Sequence, residues 1–169
     1  VKIDGVVAGL PCQSFSSVGR AQDKFSMAKD KRNYFYKDFF ECLKIIKPNF
    51  FVFENVRGIL SAKPNGVKIF DNILELSKKL GYVTLDDTSK MVFDTSEYGV
   101  PQTRKRVFVI GVKKKYSKLI PKIYEDLINV QKDKNKYTVK DAISDLPPLK
   151  PGEGTDKVKL IKNYKNSYL

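Results

Sequence analysis

The spacing of apolar positions changes several times along this chain, and each change marks an element. Lys2–Ala8 is a β-branched run ending at Ala8-Gly9, the pattern of a buried strand entering a loop. Leu10–Lys31 is polar, contains Ser and Gly, and predicts a long loop, which in compact domains is usually functional or disordered. Asn33–Lys47 places Tyr34, Phe35, Asp38, Phe39, Cys42, Leu43 and Ile46 at helical spacing, with Pro48 as a stop. Cys42 falls with Phe39, Leu43 and Ile46, so it is expected in the core. Phe50–Phe53 is a second apolar strand followed by Glu54-Asn55. Gly66–Leu80 carries Val67, Phe70, Ile73, Leu74, Leu76 and Leu80 in helical period, with Gly81 as its cap. Tyr82–Phe93 reads as extended, and Val107–Val112 as another buried strand.

The order strand, loop, helix, strand, helix, strand, strand is an α/β pattern with parallel crossovers. The character changes after Gly111. Lys113–Lys136 is charged with weak periodicity, and Thr138–Leu146 predicts a short helix. Pro147, Pro148, Pro151, Gly152 and Gly154 then mark a linker. The chain therefore divides into residues 1–112 and a basic segment, 113–169.

Composition narrows the function. The 169 residues carry a net charge of +13, with +6 up to Val112 and +7 in the remaining third. A basic surface suits a polyanion, most commonly nucleic acid, although a Lys-rich proteome gives the same excess. There is no histidine, which excludes a Ser-His or Cys-His catalytic pair within the chain. The two cysteines lack metal-ligand spacing, so no metal is expected. No apolar run approaches a membrane span and no signal peptide is visible. The expectation is a cytoplasmic protein with reduced thiols.

Three segments carry candidate chemistry. Gly9-Leu10-Pro11-Cys12-Gln13-Ser14-Phe15-Ser16 follows the first strand, Phe53-Glu54-Asn55-Val56 ends the second, and Tyr98–Arg106 leads into the last. The carboxyl ends of strands in an open parallel sheet form one functional edge, which brings Cys12 and Glu54 together. If the last strand runs antiparallel, its start lies on that edge too. A thiolate is a strong nucleophile, a carboxyl group can bond a ring nitrogen, and an arginine can hold a carbonyl oxygen or a phosphate. Together they suit addition to an electron-poor heterocycle such as a pyrimidine, though this chemistry alone does not single out one reaction.

Pro11-Cys12-Gln13, Glu54-Asn55-Val56 and Gln102-Thr103-Arg104-Lys105-Arg106 resemble motifs IV, VI and VIII of the DNA cytosine-5 methyltransferases, in the family's order and at about its spacing. Ser89–Pro101 resembles the lead-in to motif VIII, and Asp141–Pro148 the opening of the target-recognition region. The similarity runs from about Ile3 to Gly111. It implies a partial Rossmann-like, S-adenosylmethionine-dependent methyltransferase sheet lacking its N-terminal cofactor-binding strands. Residues 1–112 would be the catalytic half, and 113–169 a basic linker with the start of the recognition region.

The resemblance also implies roles. Cys12 would add to C6 of a cytosine flipped out of double-stranded DNA, and Glu54 would sit against N3 and the exocyclic amine. Arg106 would hold the cytosine O2, and Arg104 would brace Glu54 or a phosphate. Gln13, Ser16, Arg20 and Gln102 would meet DNA, with the Ser14–Lys31 loop settling only once DNA is bound. Gly9, Pro11 and Phe35 match positions near S-adenosyl-L-methionine, and Asn55 would hold the nucleophile loop.

Neither the family's Phe-x-Gly-x-Gly cofactor loop nor the acidic residue for the ribose is present. The expectation is a fragment, or half of a split enzyme with a complementing N-terminal half, inactive alone. The strand at Ile3–Ala8 would then be an exposed edge that self-associates. An RNA methyltransferase of the same superfamily would carry a Cys-Phe-Thr tripeptide beyond motif VIII, absent here. A non-catalytic DNA- or partner-binding module would be expected to lack Cys12 or Glu54, and both are present.

Overall fold

Strand β1 (Gly5–Gly9) forms from the β-branched run, and helix α1 (Phe35–Ile46) from the first amphipathic stretch. They belong to a computed structural model that describes residues 2–11, 15, 30–130, 136–147 and 149–154. Strand β2 (Phe50–Val56), helix α2 (Ile69–Lys79) and the short strands β3 (Tyr82–Val83) and β4 (Val92–Asp94) follow. Strand β5 (Lys105–Lys113), helix α3 (Leu119–Asn129) and helix α4 (Val139–Ile143) complete the order. The chain forms two units, Val1–Phe93 with Lys105–Val130, and Asp94–Arg104 with Gln131–Leu169.

The sheet runs β1-β2-β5-β3, with β4 also paired to β5. β1 and β2 are parallel, in register from Gly5 opposite Phe50 to Gly9 opposite Glu54. β5 is antiparallel to β2, from Val112 opposite Phe50 to Arg106 opposite Val56. The α/β expectation holds, and the condition placed on the last strand is met.

Alternation along β2 sets the two faces. Phe51, Phe53 and Asn55 are buried, whereas Val52, Glu54 and Val56 are only partly covered. Phe51 and Phe53 meet Phe39 of α1 edge-on or tilted, with ring centroids 5.6 and 5.5 Å apart. α1 buries Tyr36, Phe39, Phe40 and Leu43, and α2 buries Ile69, Phe70 and Ile73. Each such ring or branched side chain contributes about 1.5–3 kcal/mol, against about 0–1 for an exposed ion pair, so this apolar layer holds the unit together. Phe51 lies flat over Gly111, where a Cβ would stand 2.2 Å from its ring. Glycine in the middle of β5 is thus a condition of packing Phe51.

Four expectations require correction. Cys42 is exposed, because the buried stripe of α1 runs through Tyr36, Phe39, Phe40 and Leu43 and leaves position 42 outside it. Val67 is exposed and precedes α2 rather than joining its stripe. Tyr82–Phe93 is not extended throughout, since a 3-10 turn at Thr88–Met91 separates β3 from β4. Residues 113–130 do not start a second segment. They belong to the first unit, where α3 buries Ile120 and Tyr124. Pro121 obscures this helix in the sequence, yet it stands in the first turn, where its missing N–H removes no intrahelical bond.

The Tyr124 hydroxyl donates to the Phe108 carbonyl (2.8 Å) and accepts from the Ile110 N–H (2.9 Å), tying α3 to β5. In the second unit, α4 starts from a capping box in which Thr138 and Asp141 bond each other's backbone N–H. Hydrogen bonds from Thr138 hold the Asp141 carboxyl below its ordinary value.

Candidate functional site

Because β1 and β2 run the same way and β5 runs back, Gly9, Glu54 and Arg106 reach one end of the sheet. Glu54 lies between Phe53 and Asn55, so it takes the face opposite α1 and α2, and Arg106 shares that face across the ladder. The Arg106 guanidinium meets the Glu54 carboxylate, Nε to Oε1 at 2.9 Å, with the two side chains 18% and 31% exposed. Arg106 also donates from Nη1 to the Lys105 carbonyl at 2.8 Å, so Nε and Nη1 are both held. A pair this exposed adds little stability; it fixes where the carboxylate points.

Gly9 stands opposite Glu54, and a Cβ there would lie 3.2 Å from Glu54 Oε2. Glycine leaves that side of the carboxylate open. Asn55 is buried on the other face, accepts from the Val56 N–H (2.9 Å) and makes a long contact to the Leu10 carbonyl (3.5 Å). Phe15 is buried among the core side chains. Cys12, Gln13, Ser16 and Arg20, and most of the Ser14–Lys31 loop, lie outside the described residues. Pro11 is exposed and Phe35 is 37% exposed at the start of α1.

Gln102 and Arg104 belong to the second unit, where both are exposed. The ion pair to Glu54 is made by Arg106, the residue expected on the cytosine O2, and Arg104 lies outside the β5 ladder. Burial, with the charge of Glu97 behind it, pushes the Tyr98 phenol above its ordinary value.

Asp94 and Thr95, which the lead-in to motif VIII includes without a role of their own, bond the main chain at Gln102 and Arg104. A signal was present: Asp87-Thr88-Ser89 and Asp94-Thr95-Ser96 repeat one pattern, and in both the Asp carboxylate accepts from the N–H two residues on. A shallow cavity lined by Lys2, Ile3, Ile45, Ile46, Lys47 and Asn49 lies at the opposite end of β1. Among the described residues no group of three or more acidic or Cys side chains is placed to hold a metal, and no helix is long and apolar enough to cross a membrane.

The C-5 cytosine-specific DNA methylase family matches residues 1–168. The chain is 40% identical over 158 residues to the type II methyltransferase M.Bpa9945I of Bacillus paralicheniformis, covering 91% of this chain and 34% of that protein. It is 38% identical over 155 residues to the type II methyltransferase M.DdeI of Desulfomicrobium norvegicum, covering 90% and 34%. A solved Escherichia coli structure described as a DNA modification methyltransferase encoded within a prophage superposes with a TM-score of 0.58 at 33% identity. That match covers 88% of this chain and 36% of the other. The chain thus spans about a third of the length of the relatives it matches.

Proposed function

The chain belongs to the C-5 cytosine-specific DNA methylase family, and we propose that it is the catalytic half of a DNA cytosine-5 methyltransferase acting through Cys12. The observation that carries this reading is the Glu54–Arg106 pair, set beside Gly9 at the end of the sheet from which the Cys12 loop departs.

The Cys12 thiolate adds to C6 of a cytosine turned out of the duplex, and the ring electrons move onto C5. Glu54, held by Arg106, accepts from the exocyclic amine and delivers a proton to N3, offsetting the negative charge that the ring gains. C5 takes a methyl group, loses its proton, and the C6–S bond breaks to return the thiolate. Arg106 has further donors for the cytosine O2 while its Nε stays on Glu54. Asn55 donates to the Leu10 carbonyl, two residues before Cys12, and Phe15, three residues after it, packs in the core. Arg104 and Gln102, with Gln13, Ser16 and Arg20, meet the DNA backbone or base edges.

S-adenosyl-L-methionine supplies the methyl group when bound. The residues present fit part of its site: the side-chain-free Gly9, the exposed Pro11 and the exposed ring of Phe35 offer a close backbone approach and an apolar surface. The partner is double-stranded DNA, and β1, paired on one side only among the described residues, is where this chain meets a complementing half or a second copy.

The test is covalent capture. DNA carrying 5-fluorocytosine at the methylated position cannot lose a C5 proton, so the Cys12 adduct should persist as a band stable to denaturation. The assay uses the complete enzyme with S-adenosylmethionine. Cys12→Ser should abolish the band while retaining DNA binding. An undiminished band from Cys12→Ser would refute the assignment.

A further inference from the structure

The loop that carries Gln102 and Arg104 is closed at its base by two side chains that the methyltransferase reading leaves without a role. The Thr95 hydroxyl donates to the Gln102 carbonyl at 2.6 Å. The Thr95 N–H donates to the Arg104 carbonyl at 3.2 Å. The Asp94 carboxylate accepts from the Arg104 N–H at 3.3 Å, and also from the Ser96 N–H (3.1 Å) and hydroxyl (2.9 Å). The far side of the loop turns at Gly99, whose φ of 76° is left-handed, and Gln102 N–H closes on the Val100 carbonyl at 2.7 Å.

From these bonds we propose that Asp94 and Thr95 are positioning residues, a clasp that presents Gln102 and Arg104 to DNA in a preset geometry. The inference rests on the methyltransferase reading above. Every bond in the clasp at positions 102 and 104 uses a main-chain N–H or C=O, so the Gln102 and Arg104 side chains are not consumed by it. Those side chains, with Thr103 between them, are exposed, so packing does not order them. A loop of this length fastened only at its ends by backbone continuity would have to be ordered when DNA arrives, at a cost to affinity. The clasp removes that cost beforehand.

Thr95→Val keeps the shape of the side chain and removes the hydroxyl, whereas Thr95→Ser keeps the hydroxyl. In the complete enzyme, Thr95→Val should raise KM for DNA about 10-fold and leave kcat within about twofold, because the reacting groups are elsewhere. Thr95→Ser should return KM to near wild type. The Kd of this chain for a DNA duplex should move in the same direction, and amides 96–104 should exchange faster in Thr95→Val. Asp94→Ala should repeat the KM effect. The clasp is overturned by a Thr95→Val enzyme with wild-type KM. It is equally overturned by a fall in kcat and melting temperature that Thr95→Ser does not mend, the mark of a merely structural residue. If the wild-type enzyme does not methylate DNA, the methyltransferase reading fails. The binding comparison then decides the clasp alone, and equal Kd values for Thr95→Val and wild type overturn it.

Discussion

Arg106 crosses the β2–β5 ladder diagonally, from its place opposite Val56, to put Nε 2.9 Å from Glu54 Oε1. Diagonal neighbours on one face of an antiparallel pair are within reach of long side chains, so strand register alone creates this contact. The carboxylate receives a fixed orientation and remains partly open to a ligand.

Stability and activity should therefore separate at this pair. Arg106→Ala and Glu54→Gln should each change folding stability by no more than about 1 kcal/mol, as expected for a partly exposed pair. Both should lower kcat by about 10²–10⁴-fold, the range for a positioned group that handles a proton or its charge in the transition state. Denaturant melts beside single-turnover methylation would check this, and a loss of activity that merely follows unfolding would contradict it.

Tyr124 should make the fold sensitive to alkali. Burial pushes its phenol from the ordinary 10.0 up to about 12. The neutral form is favoured in the fold, so the associated stability is complete below pH 10 and is lost as pH rises from about 10 to 12. The loss amounts to about 2–3 kcal/mol. Tyr124→Phe should flatten this dependence. It should also cost about 1–3 kcal/mol near neutral pH, since the Ile110 N–H and Phe108 carbonyl lose their partner. Urea melts from pH 7 to 12 would show both effects.

The outer face of β1 should mediate association. Val7 is 72% exposed beside the partly exposed Phe50 and Ile3, on the same face as Glu54. Val6 instead packs against the core. Val7→Lys should raise the dissociation constant for self-association about tenfold, with little effect on the melting temperature, in sedimentation runs at several concentrations. A chain that is monomeric throughout would rule out this face as a contact.

DNA binding by this chain should be weak, indifferent to sequence and strongly salt-dependent. A net charge of +13 supplies the counterion-release term. Neutralising about six phosphates would lower affinity about 10³-fold between 50 and 200 mM salt. Fluorescence anisotropy with two unrelated duplexes would test this, and a flat salt response would remove charge as the source of binding.

The strands β1, β2 and β5, the helices α1 and α2, and the positions of Glu54 and Arg106 near strand ends were legible in the sequence. These features depend on local periodicity and on which residues stop an element, and both are written in neighbouring residues. Helix α3 was not legible, because its apolar face is narrow and Pro121 reads as a breaker until the helix start is known. The exposure of Cys42 was not legible either. Spacing defines a helical face only to within one residue's rotation, and the side chains of β2 chose which stripe of α1 to bury. The partner of Glu54 belongs wholly to the tertiary structure. The motif contains two arginines two residues apart, and only the antiparallel register of β5 against β2, with its two-residue alternation of faces, brings Arg106 onto the carboxylate.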